Sequence, residues 1–210
     1  LQELINSIGK VKTKEELSSC LAELSDVDEL ISNNLSKVVS LIKSFKEVAV
    51  HQKVESKQII NIKTFTRDIV ASLQSYYSDY TVDFHIEGEQ GLELSLYSDS
   101  YYEILSKLIM NSLQHAFDRQ NNYNIWLKFE QKERLLHLQY SDDGHGVESK
   151  NLNCVFDPFY TTARKDGSVG LGLHIIHNIV TYKLKGSIEA GLRPEGGLLL
   201  DIKLPLSTAF

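Results

Sequence analysis

Cysteine is scarce in this sequence of 210 residues, which contains only Cys20 and Cys154. Two thiols so far apart in the chain are too few for a disulfide framework or for a structural zinc site. We therefore expect both thiols to be chemically inert and the chain to work in a reducing compartment, the cytoplasm.

Positive charge and long apolar runs are also in short supply. The chain has 22 Lys and Arg residues and 28 Asp and Glu residues, which gives a net charge of −6. This composition does not favour the broad basic surface of a nucleic-acid-binding protein. No stretch approaches the ~18 consecutive apolar residues of a membrane-spanning helix, and no segment resembles a secretory signal. The sequence predicts a soluble chain with no nucleic-acid partner and no membrane segment.

The amino-terminal quarter has helical periodicity. Apolar residues at positions 1, 4, 5 and 8 precede Gly9, as in the last turns of an amphipathic helix whose start is missing, so we expect the chain to be cut from a longer one. A short helix follows Thr13, and a new helix is predicted from Ser25 to about residue 50. Its apolar residues are spaced 4, 3, 4, 3 and 4 apart: Ile31, Leu35, Val38, Ile42, Phe45 and Ala49. This heptad stripe favours packing against partner helices, with a surface helix on a globular core as the alternative.

Beyond residue 55 predicted strands and helices mix without a regular βαβ alternation. This pattern favours an α+β fold, a two-layer α/β sandwich, over a doubly wound parallel sheet. Strands are predicted at 58–62, 80–86, 92–97, 123–129, 134–140, 186–190 and 196–204. Helices are predicted at 65–77, 101–117 and 171–184, the second capped by Ser100 and Glu103. We therefore divide the chain into a helical segment, 1–54, and a sandwich domain, 55–210.

Gly167, Gly170 and Gly172 lie within six positions, immediately before an apolar helical pattern. Glycine costs about 0.5–1 kcal/mol relative to alanine in regular structure, so such a cluster indicates a positive φ or the close approach of a ligand. The spacing fits neither a dinucleotide fingerprint nor a P-loop. From the cluster alone, a flexible loop and a phosphate cradle at a helix N-terminus both remain open.

Two polar positions could belong to the same site. Asn111 lies in the middle of a predicted helix, where its amide is either solvent-facing or an oxygen ligand for Mg²⁺ that phosphates also hold. Asp142 ends a strand before the chain turns at Gly144 and Gly146. This segment is either a tight turn or a buried carboxylate that accepts a hydrogen bond from an amine, with glycines that let a flat base approach.

Five segments, in their order and spacing, resemble the N, G1, F, G2 and final glycine boxes of sensor histidine kinases. They read NSLQHAF, SDDGHGV, FDPFYTT, GSVGLGL and GGLLLDIKLP. The resemblance covers roughly residues 55–205, and LIKSFKEVAVHQ resembles the end of a dimerisation helix. It implies an ATP-binding domain behind a dimerisation segment, a homodimer formed through residues 25–50, and a response-regulator receiver domain as partner. It also implies the cytoplasmic part of a larger, membrane-anchored bacterial sensor.

Carried over by position, the resemblance implies that Asn111 coordinates Mg²⁺, that Asp142 hydrogen-bonds the adenine amine and that His115 lines the nucleotide. Arg164 and Lys165 would offset the phosphate charge from a mobile lid, 156–169. The other expected nucleotide contacts are Gly144, Gly146, Tyr160, Thr161, Gly170, Leu171, Gly172 and Leu173.

Two positions depart from the family pattern. Related conformational ATPases of this fold, such as gyrase, activate water with a glutamate four residues before the magnesium asparagine. Lys107 stands there and cannot accept a proton, so the ATPase hypothesis is weaker than the kinase one. We expect Lys107 on a solvated helix surface. Asp143 replaces an asparagine common in the G1 box, and we expect Asp142 rather than Asp143 to face the base.

The phosphoacceptor is the larger departure. Residues 1–50 contain no histidine, and the prolines are Pro158, Pro194 and Pro205, so a histidine followed closely by a proline is missing there. We expect the acceptor to lie upstream of Leu1, and the fragment to bind nucleotide without phosphorylating itself. A non-catalytic dimerisation and nucleotide-sensing module is the alternative. His174 and His177 lack a third metal ligand and are expected to be packed or surface residues.

Overall fold

The computed structural model describes residues 13–50, 56–118, 121–162 and 169–206. Helix α1 spans Lys14–Val50 without interruption, 37 residues in all. The prediction of two helices meeting near Ser25 was therefore wrong. This segment contains neither glycine nor proline, so nothing in it interrupts the backbone ladder. The helix predicted over residues 1–9 and the domain boundary predicted at residue 54 both lie outside the described residues.

The apolar stripe of α1 is exposed. Ile31, Leu35, Val38 and Ile42 are 41%, 59%, 49% and 62% exposed, respectively. The side chains of Phe45 and Ala49 lie outside the described residues. Four side chains of one heptad stripe are thus exposed, and none of the described residues buries them.

The remaining elements form two layers, helices against a mixed sheet, as the sequence predicted. The main sheet has the strand order β2-β4-β5-β7-β6, in which β2 and β4 are parallel and the other neighbours antiparallel. A separate antiparallel pair joins β1 and β3. The strands are β1 (Gln58–Asn61), β2 (Thr81–Gly88), β3 (Glu93–Leu96), β4 (Asn122–Lys132), β5 (Leu135–Asp142), β6 (Ser187–Leu192) and β7 (Leu198–Pro205). The helices are α2 (Ile62–Ser72), α3 (Gln74–Tyr77), α4 (Ser98–His115) and α5 (Gly172–Asn178), with a 3₁₀ turn at Ser149–Cys154 and a π turn at Ile179–Lys183.

The core lies between α4 and one face of the main sheet. Every second residue of β4 and β7 is buried, whereas α4 buries residues three and four apart, as the two periodicities require. The side chains that fill this layer include Ile104, Leu105, Leu108, Ile109, Tyr123, Ile125, Leu127, Phe129, Leu198, Leu200, Ile202 and Leu204. This packing fixes α4 over the ends of β5 and β7.

Two helix boundaries differ from the prediction. The predicted capping role of Ser100 was wrong: α4 begins at Ser98 after the extended residue Tyr97, and Ser100 is buried in the first turn. Helix α2 begins at Ile62, because the Asn61 side chain accepts a hydrogen bond from the Thr64 N–H at 3.0 Å. The residues between 171 and 184 form a short α-helix that continues as a π turn rather than one regular helix.

Candidate functional site

A cavity of about 790 Å³ lies between α4, the end of β5 and the chain that enters α5. Most of the residues predicted to touch a ligand line it. They are Asn111, His115, Asp142, Gly146, Tyr160, Thr161, Gly170, Leu171, Gly172 and Leu173. The segments that carry them are far apart in sequence, so the fold brings these predicted residues together.

Three predicted positions stand apart from this set. Arg164 and Lys165, with the rest of 163–168, lie outside the described residues. Gly144 is not among the residues that line the cavity. A side chain at this position would clash, because an added Cβ would lie 2.5 Å from both the Cβ and the carbonyl oxygen of Ala116. The absence of a side chain at Gly144 lets the turn pack against the end of α4. The expected role of Gly144, to make room for a flat base, stays a prediction.

Asp142 is the buried anion of the cavity. It ends β5, opposite Ile125 of β4, and is only 1% exposed. Its Oδ1 accepts hydrogen bonds from the backbone N–H groups of Gly144 at 3.1 Å and Leu198 at 3.3 Å. Its Oδ2 accepts one from Ser112 Oγ at 2.7 Å. Burial raises the pKa of Asp142 above its usual value of 3.8, and these three hydrogen bonds oppose that rise because they stabilise the carboxylate.

Ser112 links Asp142 to the core. Its Oγ also lies 2.7 Å from Tyr140 Oη, which lies 3.1 Å from the Leu108 carbonyl oxygen. Because Ser112 donates its proton to Asp142, the single proton of Tyr140 is shared between Ser112 Oγ and the Leu108 carbonyl oxygen. Burial raises the pKa of Tyr140 well above 10, so its hydroxyl stays neutral. Sequence analysis missed Ser112. The available signal was its position, a small polar residue next to Asn111 in an otherwise apolar stretch of α4.

The neighbouring acid, Asp143, does something different. Its carboxylate accepts hydrogen bonds from Asn124, from the backbone N–H at 2.7 Å and from Nδ2 at 2.8 Å. Asp143 is not among the cavity-lining residues. It therefore fastens the start of β4 to the turn after β5, while Asp142 lies in the cavity wall.

The turn after β5 packs closely on both sides. The His145 N–H donates to the Ala116 carbonyl oxygen at 3.1 Å. On the other side, Gly197 has a φ of +94°, and an added Cβ would collide with the carbonyl oxygen of Asp142. These contacts hold the backbone around Asp142 from two directions.

Gly170 and Gly172 differ in the structural constraints at their positions. Gly170 has a φ of +71°, an added Cβ would collide with the Tyr160 carbonyl oxygen, and its own carbonyl accepts a hydrogen bond from the Phe159 N–H at 2.9 Å. Gly172 is the first residue of α5, and an added Cβ would lie 3.9 Å from Asn111 Oδ1. Gly172 and Asn111 thus face each other across the cavity.

Lys107, Asn111 and His115 form one row on α4, spaced four residues apart, and all three line the cavity. The sequence predicted Lys107 on a solvated helix surface, and this prediction was wrong. The Lys107 side chain is only 27% exposed, and its Nζ lies 3.9 Å from a carboxylate oxygen of Glu103. A cation therefore stands one helical turn from the asparagine.

The described residues contain no group of three or more His, Cys, Asp or Glu side chains arranged to hold a metal ion. Asn111 Oδ1 fits Mg²⁺ as a single oxygen donor, an arrangement typical of magnesium that arrives with a phosphate ligand. His174 is packed, with Nδ1 2.9 Å from the Phe156 carbonyl oxygen and Nε2 3.1 Å from Asn178 Nδ2. Within the described ranges, no helix is both long and apolar enough to span a bilayer.

Comparisons with known proteins agree on the family. Residues 97–208 match the model described as "Histidine kinase-, DNA gyrase B-, and HSP90-like ATPase". The chain belongs to this family and contains an ATP-binding core of the histidine kinase type.

Individual relatives support the same assignment. Sporulation kinase A of Bacillus subtilis is 23% identical over 178 residues, which cover 84% of this chain and 28% of that protein. The sensor protein kinase PilS of Pseudomonas aeruginosa is 23% identical over 208 residues, 93% of this chain and 37% of that protein. Full-length ShkA, solved in complex with AMPPNP, has a similar fold with a TM-score of 0.66 at 17% identity, covering 95% of this chain and 41% of that one. The chain thus spans about a third of the length of these curated relatives.

Proposed function

We propose that this chain is the catalytic core of a two-component sensor histidine kinase. It binds Mg-ATP in the cavity and transfers the γ-phosphoryl group to a histidine, from which the group passes to an aspartate of a response-regulator receiver domain. The observation that carries the proposal is the cavity itself, which has the buried carboxylate of Asp142 at one end and Asn111 opposite Gly172 at the other.

Asp142 recognises the base. Its carboxylate is already held by three donors, and an exocyclic amine can donate a further hydrogen bond to a lone pair that remains. A hydrogen bond to a charged acceptor in a buried place discriminates strongly between ligands that have the donor and ligands that lack it. The site therefore selects adenine over a purine with a carbonyl group at that position.

Asn111 and the start of α5 receive the phosphates. The amide oxygen of Asn111 would hold Mg²⁺, and the backbone N–H groups at the start of α5 would stabilise the phosphate charge. When bound, Mg²⁺ neutralises charge that develops on the phosphates during transfer. Arg164 and Lys165 add positive charge from the segment between Thr162 and Val169. Since phosphoryl transfer depends mainly on positioning and charge, this set of groups is sufficient for the chemistry.

The helical segment forms the dimer. The exposed residues Ile31, Leu35, Val38 and Ile42 constitute a heptad stripe that a second copy of the chain covers through residues 25–50. When their heptad stripes pack against each other, two chains form the cytoplasmic homodimer of a membrane-anchored sensor. The name of one relative, a sensor protein kinase, supports the sensor role alone.

Calorimetric titration with Mg-ATP tests the site. Wild type is expected to bind Mg-ATP. Asp142→Ala is expected to weaken binding by about 10- to 150-fold, which corresponds to the loss of one hydrogen bond to a charged group. Ser72→Ala, which removes a hydroxyl bonded only to a carbonyl oxygen of α2, is the matched control and should bind as wild type does. Unchanged affinity of Asp142→Ala would remove Asp142 from the site.

Labelling of the full-length protein tests the reaction. Acid-labile phosphorylation that Asn111→Ala abolishes is expected of a kinase. Nucleotide binding without labelled protein indicates the non-catalytic sensing module, and rapid phosphate release without labelled protein indicates a conformational ATPase.

A further inference from the structure

Lys107 is the single lysine or arginine among the described residues that line the cavity. Its side chain is 27% exposed, so its charge is partly shielded from water and acts at short range. The only buried acid in the cavity wall, Asp142, is already held by Ser112 and two backbone donors. Lys107 therefore supplies the positive charge of this part of the cavity wall.

The row of residues on α4 defines an order along the cavity. Asp142 is hydrogen-bonded to Ser112, and its turn packs against Ala116, so the base end of the cavity lies beside the last turn of α4. Asn111 comes next. Lys107 lies four residues earlier, about 6 Å farther along the helix axis at 1.5 Å per residue. A nucleotide anchored at Asp142 and bridged at Asn111 thus extends its last phosphate toward Lys107.

Lys107 contacts Glu103, which lies one turn earlier on α4. The distance from Nζ to the carboxylate oxygen is 3.9 Å, longer than a direct charge-assisted hydrogen bond, and both side chains are partly exposed. A pair of this kind contributes little and is easily exchanged. A phosphate group, with more negative charge and three oxygens, competes well for the ammonium.

We propose that Lys107 binds the terminal phosphate of the nucleoside triphosphate, giving up its contact with Glu103, and that it makes the site prefer a triphosphate over a diphosphate. This inference rests on the proposed nucleotide site. Lys107 occupies the position at which related ATPases have a glutamate base. In this chain the residue at that position would bind phosphate instead of activating water.

Calorimetry with a non-hydrolysable ATP analogue and with ADP tests the inference. Lys107→Gln is expected to lose about 10-fold or more in affinity for the triphosphate while its affinity for ADP changes less than about threefold. Lys128→Gln, which removes the same charge from an exposed position on β4, is the control and should leave both affinities unchanged. Equal losses for both nucleotides, or no loss for either, would overturn the role of Lys107.

The outcome for wild type separates the two proposals. If wild type binds neither nucleotide, the proposed function fails; if it binds both and Lys107→Gln keeps the same preference, only this inference fails. Should Lys107→Gln not fold, Glu103→Gln decides, because loss of the competing carboxylate is expected to tighten triphosphate binding about two- to fivefold without changing ADP binding. An identical response to both nucleotides in that variant counts against the role of Lys107.

Discussion

The two ends of the cavity are built differently. At the Asp142 end, both carboxylate oxygens accept hydrogen bonds, and the turn beside them packs so closely that Gly144 and Gly197 cannot carry a side chain. Away from this end, the Lys107 ammonium lies 3.9 Å from Glu103, and the buried hydroxyl of Tyr160 has no hydrogen-bond partner among the described residues. The Asp142 end is fixed before any ligand arrives, whereas the rest of the cavity contains polar groups that a ligand can satisfy. The proposed base contact is therefore rigid, and the proposed phosphate contacts are adaptable.

Gly144→Ala should break the rigid end and have the largest effect on stability. Its Cβ would lie 2.5 Å from two atoms of Ala116, so the turn or the end of α4 must shift, which costs about 1–3 kcal/mol of unfolding free energy. Urea denaturation measures this loss, and a shifted turn also lowers nucleotide affinity. Gly191→Ala is the control, because its Cβ meets nothing nearer than 3.8 Å. Equal stability of the two variants would show that the turn is not tightly packed.

Ser112→Ala should weaken the same end by a smaller amount, about 0.5–1.5 kcal/mol, and in a pH-dependent way. Burial raises the pKa of Asp142 above 3.8, so the folded chain keeps a proton that the unfolded chain has lost. Stability therefore falls as pH rises through the interval between 3.8 and the raised pKa. Loss of the Ser112 hydrogen bond raises this pKa further and enlarges the fall.

The measurement is urea denaturation of wild type and Ser112→Ala at pH 4 and pH 7. The difference in unfolding free energy is expected to be larger at pH 7, where a larger fraction of Asp142 is ionised, than at pH 4. Ser72→Ala provides the control, with a difference that does not depend on pH. A pH-independent difference for Ser112→Ala would mean that the hydroxyl does not stabilise the carboxylate.

Tyr160→Phe sharpens the comparison at the adaptable end, with the smallest effect. The buried hydroxyl of Tyr160 has no partner within the described chain, so its removal is expected to raise the unfolding free energy without ligand by up to about 1 kcal/mol. Denaturation without nucleotide measures this gain. Tyr76→Phe, in which an exposed hydroxyl of the same cavity wall is removed, should have no effect. Destabilisation of Tyr160→Phe by more than 1 kcal/mol would reveal a partner for that hydroxyl.

The sequence predicted the two-layer sandwich and the cavity-lining positions because both depend on local patterns. Asn111, Asp142 and Gly172 each stand in a short motif, and the order of the motifs was enough to place them together. The contacts that hold Asp142 could not be found in this way, because Ser112 and Leu198 are 30 and 56 positions away from it. Such partners depend on the strand order of the sheet, which no local pattern contains.

Other differences arose from signals that tertiary structure overrides. Ser25 and Ser100 are both good helix caps in isolation, yet α1 runs through the first and α4 buries the second. Gly144 is a glycine that the structure requires for its contact with Ala116, which the sequence did not predict. A glycine in a sequence shows that space is limited, and only the fold shows which atoms limit it.

The link between β6 and β7 has the appearance of a surface turn that would accept almost any change. An added Cβ at Gly196 would meet nothing within 4 Å, whereas an added Cβ at Gly197 would collide with the backbone of Asp142. Adjacent glycines of one turn therefore differ in what they permit: inserted residues or a new chain terminus are admissible on the Gly196 side only. Any redesign of that turn has to keep Gly197 in place, or it will alter ligand selection from a part of the chain more than fifty residues away from Asp142.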